Sequence, residues 1–173
     1  TSTTVKDARK LILEDKVDVI LGPSLTPNSL ALLDVVSEHH VPMVSVAASA
    51  RIVEPMDAKR HWAFKTPQGD VQMAAVIVDH MKKKGLKSAG FIGFNDAYGE
   101  SWIKVMTSLT EAAGIKVVAS ERFQRTDSSV TGQILRLLAA KPEAVFIAAS
   151  GTPAALPQTT LAERGYKGIG YQT

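Results

Sequence analysis

A chain of 173 residues, 45% hydrophobic and 21% charged, has the composition of an ordinary globular protein, which excludes a disordered or low-complexity chain. The formal charge of +3 is mild, and its densest run, Lys82 to Lys84 with Lys87, reads as a solvated helix end without interleaved aromatics, so no nucleic-acid partner is expected. There is no cysteine, which excludes thiol catalysis, disulfides and thiolate metal sites.

Short β-branched runs alternate with longer stretches of helical period, the signature of βαβ units and a largely parallel sheet. The pattern opens with a helix in TTVKDARKLILEDK, where Val5, Ala8, Leu11 and Ile12 share a face and Thr3 or Thr4 can cap the start. A strand is expected at 17–21, a helix from about 28 to 39 and a strand at 42–46; 51–60 is less regular, and 62–65 reads as a short extended piece. The rhythm restarts with a helix at 70–84, closed by Gly85, then a strand at 88–94 and a helix at 98–113 closed by Gly114. A strand at 115–123, a helix at 130–140 stopped by Pro142, a strand at 144–149, a helix at 153–164 and a terminal strand at 168–172 complete the reading. The turn Lys65-Thr66-Pro67-Gln68-Gly69 resets the pattern, so residues 1–66 are assigned to one lobe and 67–173 to another. A chain that opens on a helix and stops on an uncovered strand is expected to be cut at both ends. Its first residues, TSTTVKDARK, lack the layout of a signal peptide, as a mature or trimmed chain would.

Ligands of open parallel sheets bind beyond the carboxyl ends of the strands, so those ends hold the candidate residues. Ser24 and Thr26 follow the first strand, Ala47 and Ser49 the second, Tyr98 follows the strand at 88–94, and Thr152 the strand at 144–149. Small residues let backbone come close, hydroxyls donate hydrogen bonds, and helix N-termini favour negative charge, a combination suited to a carboxylate. Each hydroxyl taken singly also fits an ordinary helix cap. No G-x-G-x-x-G or Walker loop follows a strand, and Gly22 to Thr26 is not a G-x-S-x-G elbow. His39 and His40 are adjacent at a helix end while His61 and His80 stand alone, so no metal, no cofactor and no catalytic residue is expected. Asp96 reads as the cap of the helix that follows it.

The segments DVILGPSLTPNSLALLDVVSEHHVPMVSVAASA, FIGFNDAYGESW and RTDSSVTGQILRLLAAKPEAVFIAASGTPAALPQ, in this order, resemble the type I periplasmic binding proteins of the branched-chain amino acid (Leu/Ile/Val-binding) ABC transporter family. The resemblance implies an α/β fold of two Rossmann-like lobes with parallel sheets, incomplete here at both ends. It implies a periplasmic solute-binding protein that captures a carboxylate-bearing small molecule by lobe closure and delivers it to ABC permease subunits. By position, the family's carboxylate-gripping hydroxyls fall on Thr26 and Ser49, its backbone carbonyl on Ala47, and its second-lobe aromatic on Tyr98. Gly151 and Thr152 stand where amino-acid binders often place another aromatic, and SGTPAALPQ looks more like members that take aromatic acids. The expected ligand is thus a branched-chain amino acid or an aromatic acid. Two other readings are a ligand-sensing effector domain of a receptor or regulator, and an enzyme using Asp96 and Tyr98. Exposed sheet edges also make self-association an expectation.

Overall fold

Every helix and strand expected from the periodicity forms in the computed structural model, which describes residues Thr1–Thr173, with ends displaced by a few residues. The chain divides into two compact units, Thr1–Asp70 and Val71–Thr173. The division falls just past the 65–69 turn because the Asp70 carboxylate accepts a hydrogen bond from Ala50 N at 3.1 Å, holding the first residue of a helix to the first unit.

The first unit comprises helix α1 (Ser2–Leu13), strand β1 (Ile20–Leu21), helix α2 (Thr26–His39), and strands β2 (Met43–Ser45) and β3 (Ala63–Lys65). Short 3-10 turns at Ala50–Ile52 and Arg60–Trp62 occupy the stretch that lacks a regular pattern. The three strands form a parallel sheet in the order β1-β2-β3, with Ile20 opposite Met43 and Met43 opposite Ala63. β1 is shorter than the 17–21 expected because its sole partner, β2, is itself only three residues long. α1 starts earlier than Thr3, its first turn closed by Val5 N donating to Thr1 O, and no threonine side chain caps it. α2 starts two residues before Asn28, because Pro27 lacks an N–H to lose and suits a first helical turn.

Alternation along these strands is one-sided. Ile20, Met43 and Ala63 point into a core with Ala8 and Ile12 of α1 and Leu32, Val35 and Val36 of α2. Leu21, Val44 and Phe64 lie side by side in register on the opposite face, where Leu21 is 80% and Phe64 54% exposed.

The second unit holds helix α3 (Asp70–Lys83), strand β4 (Ser88–Phe94), helix α4 (Ala97–Ala112), strand β5 (Lys116–Phe123), helix α5 (Thr131–Ala139), strand β6 (Ala144–Ala148), helix α6 (Ala155–Glu163) and strand β7 (Ile169–Gln172). Its four strands are parallel in the order β5-β4-β6-β7. All of β6 and nearly all of β4 are buried, as befits central strands covered on both faces, while β5 and β7 form the edges. α4 lies so close to the end of β4 that a Cβ on Gly99 would stand 1.9 Å from Phe94 O. At the opposite end of the sheet, the Glu143 carboxylate accepts from Lys87 N and Ser88 N, which hold it ionised below the usual carboxylate range. Beside it, Tyr166 donates to Pro142 O at 3.0 Å.

Candidate functional site

In the first unit the loops after β1 and β2 are tied into one block. Gly22 takes φ of +109°, a conformation that glycine adopts without a side-chain penalty, and lets the chain leave β1 abruptly. Gly22 N then donates to Val44 O at 2.9 Å, and Val46 N donates to Pro23 O at 3.1 Å. Beneath these lie two buried hydroxyls, Ser29 of α2 and Ser45 of β2, 2.8 Å apart. Ser45 Oγ also donates to Pro23 O at 3.2 Å and accepts from Ala47 N at 3.1 Å.

The predicted residues of this unit sit around that block. Thr26 is the first residue of α2 and is 1% exposed, and its Oγ1 has no hydrogen-bond partner. It does not serve as the cap: Leu25 occupies that position, with no side-chain cap bond. A buried hydroxyl without a partner is costly, and Thr26 shares this state with His39 Nε2 and Trp102 Nε1. Ser24 is exposed in the bend before the helix. Ala47 is buried, with its N–H engaged by Ser45. Ser49 is buried and caps the turn Ala50–Ile52, its Oγ accepting from Arg51 N at 3.3 Å.

In the second unit the chain leaves β4 for β5 on one side and reaches β6 on the other. The ends of β4 and β6 therefore flank the switch point at which such sheets bind ligands. Asp96 caps α4 through Oδ1, which accepts from Tyr98 N at 2.8 Å and Gly99 N at 3.2 Å. Its Oδ2 accepts from Arg125 Nε at 2.7 Å, and the Arg125 guanidinium lies 4.0 Å above the Phe94 ring. Tyr98 is 8% exposed, and its ring packs against Phe94 and Trp102. Its hydroxyl donates to Thr173 Oγ1 at 2.7 Å, which donates onward to Ala149 O at 3.1 Å, linking the loops after β4 and β6. Thr152, after β6, opens the 3-10 turn Thr152–Ala154 and is exposed.

Sequence reasoning missed Ser29, Ser45 and Arg125. The two serines carried a readable signal: each is a polar residue at a position where periodicity demands an apolar one, Ser45 two residues after Met43 on the inward face and Ser29 on the face of Leu32, Leu33 and Val36. Arg125 lies in a loop past an edge strand and carried none.

A family model described as periplasmic binding protein matches residues 1–173. The chain belongs to the periplasmic binding protein family. Among solved structures, an extracellular ligand-binding receptor from Rhodopseudomonas palustris HaA2 is 47% identical, with a TM-score of 0.96 over 99% of this chain and 47% of that one. A solute-binding protein of an ABC transporter from R. palustris, in complex with 4-hydroxybenzoate, shares the fold at 24% identity and a TM-score of 0.89, again over 99% and 47% of the two chains. Glutamate receptor 2.4 of Arabidopsis thaliana is 25% identical over 170 residues, which is 94% of this chain and 19% of that receptor. The chain thus spans about half the length of the solved structures it matches and 19% of the curated relative. The type I periplasmic binding protein architecture read from its segments is the one it folds into.

Proposed function

We propose that this protein is the periplasmic solute-binding component of an ABC transporter, taking an aromatic acid whose carboxylate is held at the start of α2 and delivering it to permease subunits. The observation that carries the reading is the buried, unpartnered Thr26 hydroxyl. A carboxylate is acceptor-only, so it satisfies that donor and benefits from the positive end of the helix dipole. Within the first unit Ser24 and Ser49 add hydroxyl donors to this grip; within the second, Tyr98 and Thr152 are the candidate ligand residues, on loops beside its switch point. The 4-hydroxybenzoate bound by one relative, together with Gly151 and Thr152 in place of a further aromatic, supports an aromatic acid over a branched-chain amino acid. The protein binds its ligand without transforming it.

Calorimetric titration with 4-hydroxybenzoate, benzoate, leucine and the methyl ester of 4-hydroxybenzoate tests this. Binding of the free acids with loss of the ester is the expected result. Binding of leucine alone would replace the ligand class, and equal binding of acid and ester would remove the carboxylate from the argument. The likeness to a plant receptor supports a second reading, a ligand-sensing domain of the same fold. Co-purification of the full-length protein with a permease from native membranes separates delivery from sensing.

A further inference from the structure

We infer that the buried pair Ser29 and Ser45 sets the geometry of the carboxylate grip without touching the ligand, acting as a positioning device shared by both loops of the first unit. The inference rests on the reading that these loops take the carboxylate.

Neither serine exposes any surface, and their neighbours on β2 and α2 are Met43, Leu32 and Leu33, so both hydroxyls depend on protein partners; besides Ser45, Ser29 Oγ has Leu25 O at 3.1 Å and Pro23 O at 3.5 Å within reach. A buried hydroxyl left without bonds is costly, and both serines have theirs. One arrangement of protons completes them at Ser45. Ser29 donates to Ser45 Oγ, Ser45 donates to Pro23 O, and Ala47 N donates to Ser45 Oγ, so that this one oxygen gives one bond and receives two. The three bonds reach three different elements: α2, the turn after β1, and the strand end after β2. Thr26 lies in the first turn of α2, three residues before Ser29, and Ala47 and Ser49 lie just beyond Ser45. Ser45 Oγ therefore ties together all three segments that carry the grip. Val46 N donating to Pro23 O closes the same ring from the backbone side.

A loop displaced by a few tenths of an ångström misaligns donors that must converge on one carboxylate, so loss of the pair weakens binding more than it weakens the fold. The test uses Ser45→Ala, Ser29→Ala and the double variant, with Val36→Ala as a control that truncates the same core away from both loops. Titration with 4-hydroxybenzoate is expected to show about a tenfold loss of affinity in each single variant, with the double variant no weaker than the worse single, because the pair acts as a unit. Val36→Ala, although destabilised, is expected to bind as the parent does. Amide exchange of unliganded protein is read in parallel, with faster exchange expected at Val46 and Ala47 in Ser45→Ala and no change along Leu32 to Val36. Affinities within twofold of the parent, or losses that match the control at equal stability, overturn the inference. If the parent binds no acid, the proposed function fails on its own, and unchanged exchange at Val46 and Ala47 is then the result that overturns the positioning role. Ser29→Ala leaves the Ser45 bonds to Pro23 and Ala47 in place, so it keeps the comparison available if Ser45→Ala does not fold.

Discussion

Replacing Thr26 by valine keeps the shape of the side chain and removes only the hydroxyl, and the structure assigns opposite signs to its effects on stability and on binding. Thr26 is 1% exposed and its Oγ1 is unpartnered. Desolvating a hydroxyl without a compensating bond costs about 1–3 kcal/mol. The valine methyl carries no such cost and gains about 0.8 kcal/mol by burial. Unliganded Thr26→Val is thus expected to be more stable than the parent by about 2–4 kcal/mol, read as a higher urea midpoint at unchanged slope. Binding moves the other way: a hydrogen bond to a carboxylate contributes about 1.5–3 kcal/mol, so affinity for 4-hydroxybenzoate is expected to fall by about 10- to 150-fold. Equilibrium unfolding and calorimetric titration of the same preparations provide both numbers. A variant that loses about 1 kcal/mol or more of stability would show that the hydroxyl is engaged in the free protein. One that binds as tightly as the parent would show that the carboxylate lies elsewhere. Either result refutes the reasoning.

Gly99→Ala places a Cβ against the backbone carbonyl of Phe94 at 1.9 Å and is expected to cost about 3 kcal/mol or prevent folding; a melting temperature within about 2 °C of the parent would contradict it. Asp96→Asn keeps an oxygen for the α4 cap but loses the charge paired with Arg125, whereas Asp96→Ala loses both. Urea unfolding is expected to show the alanine variant less stable by about 1 kcal/mol, and the cost of the asparagine variant to shrink in high salt. Tyr166 is pushed up to about 12 by burial and then by the Glu143 charge. Folding therefore favours its protonated form, and the stability this gives is complete below about pH 10 and is lost as pH rises toward 12. Ultraviolet titration is expected to show one phenol ionising near pH 12 that vanishes in Tyr166→Phe, and the variant is expected to lose stability less steeply over that interval.

The order of helices and strands was legible because hydrophobic period changes cleanly between them. β4, for instance, is the run SAGFIGF flanked by Gly85 and the Asn95-Asp96 turn, and it forms over its expected residues. β1 came out short because strand length depends on the partner, and nothing in residues 17–19 reveals that β2 starts only at Met43, opposite Ile20. At the candidate site the sequence located the loops but not the state of each hydroxyl. Thr26, Ser49 and Asp96 all stood where capping and ligand binding compete. In the structure Ser49 and Asp96 cap, while Thr26 does not. That distinction turns on one residue of offset at the start of α2, where Pro27 sets the helix boundary, and such offsets lie below the resolution of a pattern reading. The burial of Tyr98 was not legible, since it is made by Trp102, Phe94 and the distant Thr173.

The row formed by Leu21, Val44 and Phe64 on the uncovered side of the first sheet bears on how this protein is handled at the bench. Environment-sensitive dyes such as those used in melting assays fluoresce on binding apolar surface, and this chain offers them some before any heating. Its melting traces are expected to begin from a raised baseline, and that dye signal would fall when Phe64→Ser or Leu21→Ser thins the row. Ligand screens on it are better read by calorimetry or intrinsic fluorescence, for which the native surface is silent.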